Sequence, residues 1–222
     1  FGANVCALAL LALPVAASAQ FPTIPGLSAK PGSANLVGQQ ETLVRGYVAA
    51  DKDVLMANSQ MADALGLKDA AAAARATAEA LTSGATQGNL ADADKVTQDS
   101  TNAVSEEMKK SPKLDAEAKK KFAAGLVVLT AGVVKYVALR KPVQDFATAL
   151  PGASLLQVPQ LQSGAYLVKS FPGSMKSLTG ALNSAVSFAR SNDIPVPPDA
   201  TRVLRVSARG APLVDGYQRG RP

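Results

Sequence analysis

An all-α fold, a bundle of about five to six helices with a long, nearly all-apolar central helix, is what this sequence predicts. Three observations carry that expectation. No segment longer than three or four residues alternates apolar and polar side chains as a strand does. The 47% hydrophobic content is largely alanine with only 5% aromatic residues, which suits closely packed helices better than a sandwich of sheets. One stretch, FAAGLVVLTAGVVKYVAL from Phe122 to Leu139, is apolar on every helical face.

The elements follow in chain order. Residues 5–19, VCALALLALPVAASA, end in the small-x-small pattern Ala17-Ser18-Ala19 and read as a secretory signal, residues 1–19, cleaved near Gln20. The basic n-region is missing and the chain opens on Phe1, so the upstream end is expected to be truncated; an uncleaved anchor is the rival reading. Residues 20–33 hold three prolines and two glycines and read as an extended leader. A single bundle domain is expected over 34–194. Its first helix shows Leu36, Leu43, Tyr47, Ala50, Val54, Ala57, Met61 and Ala64, alternating four and three from Leu43 on, the seam of a helix packed lengthwise. A second helix, built on the alanine run after Lys68, breaks at Gly84 to Gly88.

The next segment carries few apolar positions, Leu90, Val96, Val104 and Met108, and reads as an exposed, loosely held helix. Ser111-Pro112 reads as the cap and first residue of the helix that contains the apolar stretch, with Pro142 expected to kink or end it. Beyond Pro151-Gly152 come Leu161, Tyr166, Val168 and Phe171, then Pro172-Gly173. A clean helical period follows at Met175, Leu178, Leu182, Ala185, Val186 and Ala189. Residues 195–222 are Pro-rich and basic and are expected to be disordered.

The chemistry is read mostly from what is missing. There is no histidine, and the one cysteine, Cys6, lies inside the expected signal, so imidazole and thiolate chemistry, metal ligation included, loses its usual ligands. No phosphate-binding, dinucleotide or hydrolase motif occurs, and neither an enzyme nor a cofactor is expected. Asp92, Asp94 and Asp99 lack the glycine of a calcium loop, having Thr97 there, and read as an exposed helix start. Adjacent Glu106 and Glu107 point about 100° apart on a helix and form no acid-base pair. Tyr47, Tyr136, Tyr166 and Tyr217 either line a pocket or pack as core, with core the better account.

Two groups of residues are candidate sites. Ala124-Gly125, Ala131-Gly132 and Ala138 recur every seven residues along the apolar stretch, next to Tyr136. Each mid-helix glycine costs about 1 kcal/mol relative to alanine, so either close approach of another helix or a groove for an apolar chain should offset it. Lys109, Lys110, Lys113, Lys119, Lys120 and Lys121 cluster at one junction of a chain with net charge +6 and are candidates for contact with an anionic surface, solvation being the bland reading. With an export signal, lipid headgroups are the expected counter-surface and nucleic acid is not.

Phe122 to Leu139 spans about 27 Å as a helix, just short of a bilayer core, and its alanines and glycines favour a place inside a bundle over a membrane. The expected function is therefore that of an exported, non-enzymatic binding protein of a bacterial envelope, periplasmic or secreted, with an interaction or scaffold role. Its partner would be an envelope protein or an apolar ligand. Two further readings stand beside it: a carrier or sensor of an apolar molecule using a Gly125/Gly132 groove, and a helical pore-forming protein.

Overall fold

A computed structural model describes residues 35–209, so the expected signal, leader and Tyr217 lie outside the described residues. Among the described residues the chain forms six α-helices and no strand: α1 (Leu36–Ala64), α2 (Lys68–Ala80), α3 (Gln87–Lys109), α4 (Ala116–Ala149), α5 (Gln162–Ser191) and α6 (Pro198–Arg209). Two single 3-10 turns, Leu150–Gly152 and Val158–Leu161, link α4 to α5.

The starts of α3 and α4 are set by side chains that satisfy free backbone N–H groups. Thr86 and Asn89 form a reciprocal capping box at α3, the Asn89 N–H donating to Thr86 Oγ1 at 3.3 Å and the Thr86 N–H to Asn89 Oδ1 at 3.1 Å. At α4 the cap is Asp115, which accepts the Ala118 N–H at 2.8 Å. The sequence reading put this start at Ser111-Pro112. Ser111 instead closes α3 with φ 52°, and the short stretch after it is non-helical, so the first available carboxylate does the capping.

Both internal prolines are carried inside helices. Pro142 lies within α4 and Pro172 within α5, each on an exposed position. A proline deprives the carbonyl four residues earlier of its partner, and for Pro142 that carbonyl belongs to exposed Ala138, where water can replace the lost bond. The helix therefore runs on to bury Val143 and Phe146.

α1 meets α2, α3, α4 and α5. Its most extensive contact is with α4, and there the heptad glycines act. A Cβ on Gly125 would lie 2.7 Å from Met61 Cγ and 3.0 Å from the Ala57 carbonyl oxygen; one on Gly132 would lie 3.0 Å from Val54 Cγ2 and 3.3 Å from the Ala50 oxygen. The backbones of the two antiparallel helices approach at these points because no side chain intervenes. α4 is the long apolar helix expected, but it buries a stripe (Phe122, Gly125, Leu126, Leu129, Gly132, Val133, Tyr136), not its whole circumference. Its outer side, Ala124, Val127, Ala131, Val134 and Ala138, is exposed among the described residues.

The expectation of a disordered tail is corrected over residues 198–209. Pro198 opens α6, and Ala200, Val203 and Ser207, spaced three and four apart, are buried against α4 and α5. The amphipathic period was hidden under a composition rich in proline and arginine. Residues 210–222 lie outside the described residues.

Candidate functional site

A cleft of about 350 Å³ lies between α3 and α5, with a lining that includes Asp94, Thr97, Thr101, Tyr136, Tyr166 and Ser174. The α5 side of the cleft carries residues that perturb a helix. Pro172 removes one backbone bond, Gly173 has no side chain, and Ser174 and Thr179 bond back to the carbonyls of Ser170 and Met175 at 3.3 and 2.7 Å, an arrangement that bends helices.

Behind the lining lies a polar network buried between four helices. Tyr47 of α1 and Tyr166 of α5 each donate to Asp94, to Oδ1 and Oδ2 respectively, both at 2.6 Å. Thr97 of α3 and Tyr136 of α4 donate to Asp51 Oδ1 at 3.0 and 3.2 Å. Asp51 Oδ2 is buried without a hydrogen-bond partner, and the residue is 0% exposed. The Tyr47 and Tyr136 rings meet edge to face at 5.2 Å, which fixes both hydroxyls. Two turns further along α1, Asn58 Nδ2 reaches Ser100 Oγ at 2.9 Å and Thr101 Oγ1 at 2.8 Å.

Burial dominates the electrostatics. It pushes the Asp51 carboxyl up from 3.8 to about 7, with the nearby Asp94 charge adding to the rise and the Thr97 and Tyr136 hydroxyls opposing it. Asp94 is also raised by burial, against the pull of the Tyr166 and Tyr47 hydroxyls. Burial lifts the phenols of Tyr47, Tyr136 and Tyr166 above their ordinary value, and the neighbouring carboxylates lift them further, so all three stay protonated as donors.

The residues singled out from sequence are distributed differently. Gly125 and Gly132 are filled by α1, so of the two accounts close approach of a helix applies there and a groove for an apolar chain does not, while Ala124 and Ala131 face outward. Tyr136 is the one member of that group at the cleft. Tyr47 and Tyr136 are core side chains, and Tyr166, half-buried, lines the cleft. Of the lysines, Lys109 pairs with Glu106, Lys110 with Glu107, and Lys121 with Asp63 and Glu117, which neutralises half of the cluster; Lys113, Lys119 and Lys120 complete it around the α3–α4 junction. α3, expected to be loosely held, is clasped by buried Thr97, Ser100 and Thr101.

Sequence reasoning missed Asp51 altogether and treated Asp94 as an exposed helix start. A signal for Asp51 was present: it lies four residues after Tyr47 and three before Val54, on the buried side of the α1 seam. Among the described residues no group of three or more His, Cys, Asp or Glu side chains could hold a metal ion. Comparison with protein-family models, with curated proteins and with solved structures finds no match to this chain.

Proposed function

We propose that this chain is an exported, non-enzymatic binding protein of the cell envelope, and that the α3–α5 cleft takes a small polar ligand. The observation that carries the reading is the polar floor of that cleft: Asp94 held on both oxygens by tyrosines at 2.6 Å, in a space at the lower end of the roughly 300–1,000 Å³ typical of small-molecule sites. Binding is favoured over catalysis because Asp51, the one carboxyl tuned to neutral pH, sits behind Tyr136 and Thr97 and does not line the cleft. The test is a screen of small polar compounds by ligand-induced shift of the melting temperature and by NMR. A binder should move signals of Tyr166, Thr101 and Ser174; compounds that perturb only other surfaces, or none, would remove the reading. Export is checked separately, by recovery of a chain processed near Gln20 from the periplasm of a bacterial host.

A second reading, an interaction role, is supported by the open face of α4. Ala124, Val127, Ala131, Val134 and Ala138 alternate three and four apart, the spacing of a helix-pairing seam, with Val127 55% and Val134 40% exposed. The same rows continue into Glu117 and Lys120 at one end and Lys141 and Asp145 at the other. A second copy packed antiparallel with Glu117 opposite Lys141 also sets Ala124 opposite Val134 and Val127 opposite Ala131, whereas parallel packing sets like charge on like. Sedimentation should then show a dimer that Val127→Lys dissociates; a monomer at high concentration would refute it.

A further inference from the structure

Two carboxylates, half-buried Asp94 lining the cleft and fully buried Asp51 behind it, have no cationic partner. None of the ion pairs among the described residues includes Asp51 or Asp94. The groups that face Asp51 are Tyr47 from its own helix, Asp94 and Thr97 from α3, Tyr136 from α4 and Tyr166 from α5: phenols, a hydroxyl and an acid, with no base. Lys95, the only lysine lining the cleft, points to its rim, where it is 74% exposed and paired with Asp99 at 2.6 Å. Taking a carboxylate out of water costs several kcal/mol unless a charge or a proton compensates it. The fold supplies hydrogen bonds but no charge.

The lining indicates what would supply it. Asp94 has one lone pair taken on each oxygen by a tyrosine, which leaves acceptor capacity on each for a ligand, and a compact ammonium needs only a single approach. Around Asp94 the hydroxyl oxygens of Thr97, Thr101, Ser170, Ser174 and Ser177 can accept further N–H bonds, and half-buried Tyr166 adds an aromatic side chain to the lining. Leu178 gives the cleft an apolar patch for a short carbon chain. A hard divalent metal suits the site poorly, since it asks for six or more oxygens with several carboxylates, and no third acid joins these two among the described residues.

We infer that the cleft is a site for a small organic ammonium ion, its charged end on Asp94 and the surrounding hydroxyls, its carbon chain toward Leu178. This rests on the reading of the cleft as a ligand site. The binding has a proton balance. Near neutral pH the Asp51 carboxyl, pushed up to about 7, is partly protonated. A cation on Asp94 offsets the like charge that helps to raise it, so Asp51 releases up to about one proton as the ammonium, keeping its own three, enters.

The experiment is calorimetric titration of the full chain with butylammonium and putrescine, each in two buffers of different ionisation enthalpy, alongside 1-butanol, 1,4-butanediol and glucose, with Tyr166 followed by NMR. The ammonium compounds should shift Tyr166 and bind at least about tenfold more tightly than their alcohols. Binding should tighten from about pH 6 to about pH 8 with proton release. Asp94→Asn should lose that preference while melting cooperatively, and Asp51→Asn should bind without releasing a proton. If the alcohols or glucose bind as well as the ammonium compounds, or Asp94→Asn binds them undiminished, the cation assignment is overturned and the polar-ligand reading survives. If nothing moves Tyr166, both fall.

Discussion

At the scale of single residues, Asp51 is where the chain departs furthest from a simple apolar core. Its folded pKa of about 7 stands above its ordinary 3.8, and the sign of the effect on stability follows directly. Below about pH 4 the carboxyl is protonated in both folded and unfolded chains, so its contribution is fully present. Between about pH 4 and about pH 7 the unfolded chain gives up a proton that the folded chain keeps, so stability falls as pH rises and levels off above that window. Three units correspond to roughly 4 kcal/mol at most, because Asp51 and Asp94 share the burden. Asp51→Asn keeps an oxygen for Thr97 and Tyr136 and removes the charge. Its denaturation midpoint should exceed that of the parent at about pH 8 and should not show the parent's decline between about pH 4 and about pH 7. A parent midpoint that is flat across this window would show that Asp51 is not held protonated. The residue was hard to read because a seam position tells which side chains turn inward, and only the facing Thr97, Tyr136 and Asp94, from helices far away in sequence, make an aspartate tolerable there.

At the scale of elements, the spacing of α4 was legible and its neighbours were not. The seven-residue recurrence of Ala-Gly pairs announced close packing on one side of the helix, and Ala57 and Met61 opposite Gly125, with Ala50 and Val54 opposite Gly132, are what packs there. The alanines one residue earlier in each pair project about 100° away and reach the exposed side. Composition alone could not separate the two halves of the pair, since alanine suits a tight interface as well as an open surface. Substitution can. Gly132→Leu drives a side chain into the Ala50 backbone and should lower stability by about 3 kcal/mol or more, whereas Ala131→Leu, one residue away, should stay within about 0.5 kcal/mol in the monomer. Denaturant midpoints of the two variants measured side by side decide it, and equal losses would mean that α4 is rotated from the arrangement described. α3 teaches the converse lesson. Its apolar positions are too sparse to predict firm docking, but Thr97, Ser100 and Thr101 bury hydroxyls that Asp51 and Asn58 satisfy, a pairing visible only once both helices are in place.

At the scale of the whole molecule, the order of α1 to α4 followed from periodicity and breaks, α5 runs unbroken through Pro172-Gly173, and what periodicity did not give was the closing of the bundle at its C-terminal end. The last third of the chain looked like a helix followed by a polyproline-like tail. In the fold, Asp193 at φ 55° lets the chain reverse after α5, the Ile194 N–H returns to the Ala189 oxygen at 2.8 Å, and Ile194 itself is buried. That reversal sends α6 back across α4 and α5, where it seats Ala200 and Val203 with Leu204 beside them. Ending the chain after Pro197 removes these contacts and uncovers the apolar surface of α4 and α5 beneath. Full burial of one valine is worth about 1.5–3 kcal/mol, so with the smaller alanine and the uncovered surface the loss should be about 2–4 kcal/mol. Since α1 to α5 hold the rest of the core, the shortened chain should still fold cooperatively, with a lower midpoint and a smaller dependence on denaturant because less surface remains to be exposed. An unchanged midpoint and slope would mean that α6 does not dock in solution, and the expectation of a disordered tail would then stand for residues 198–209.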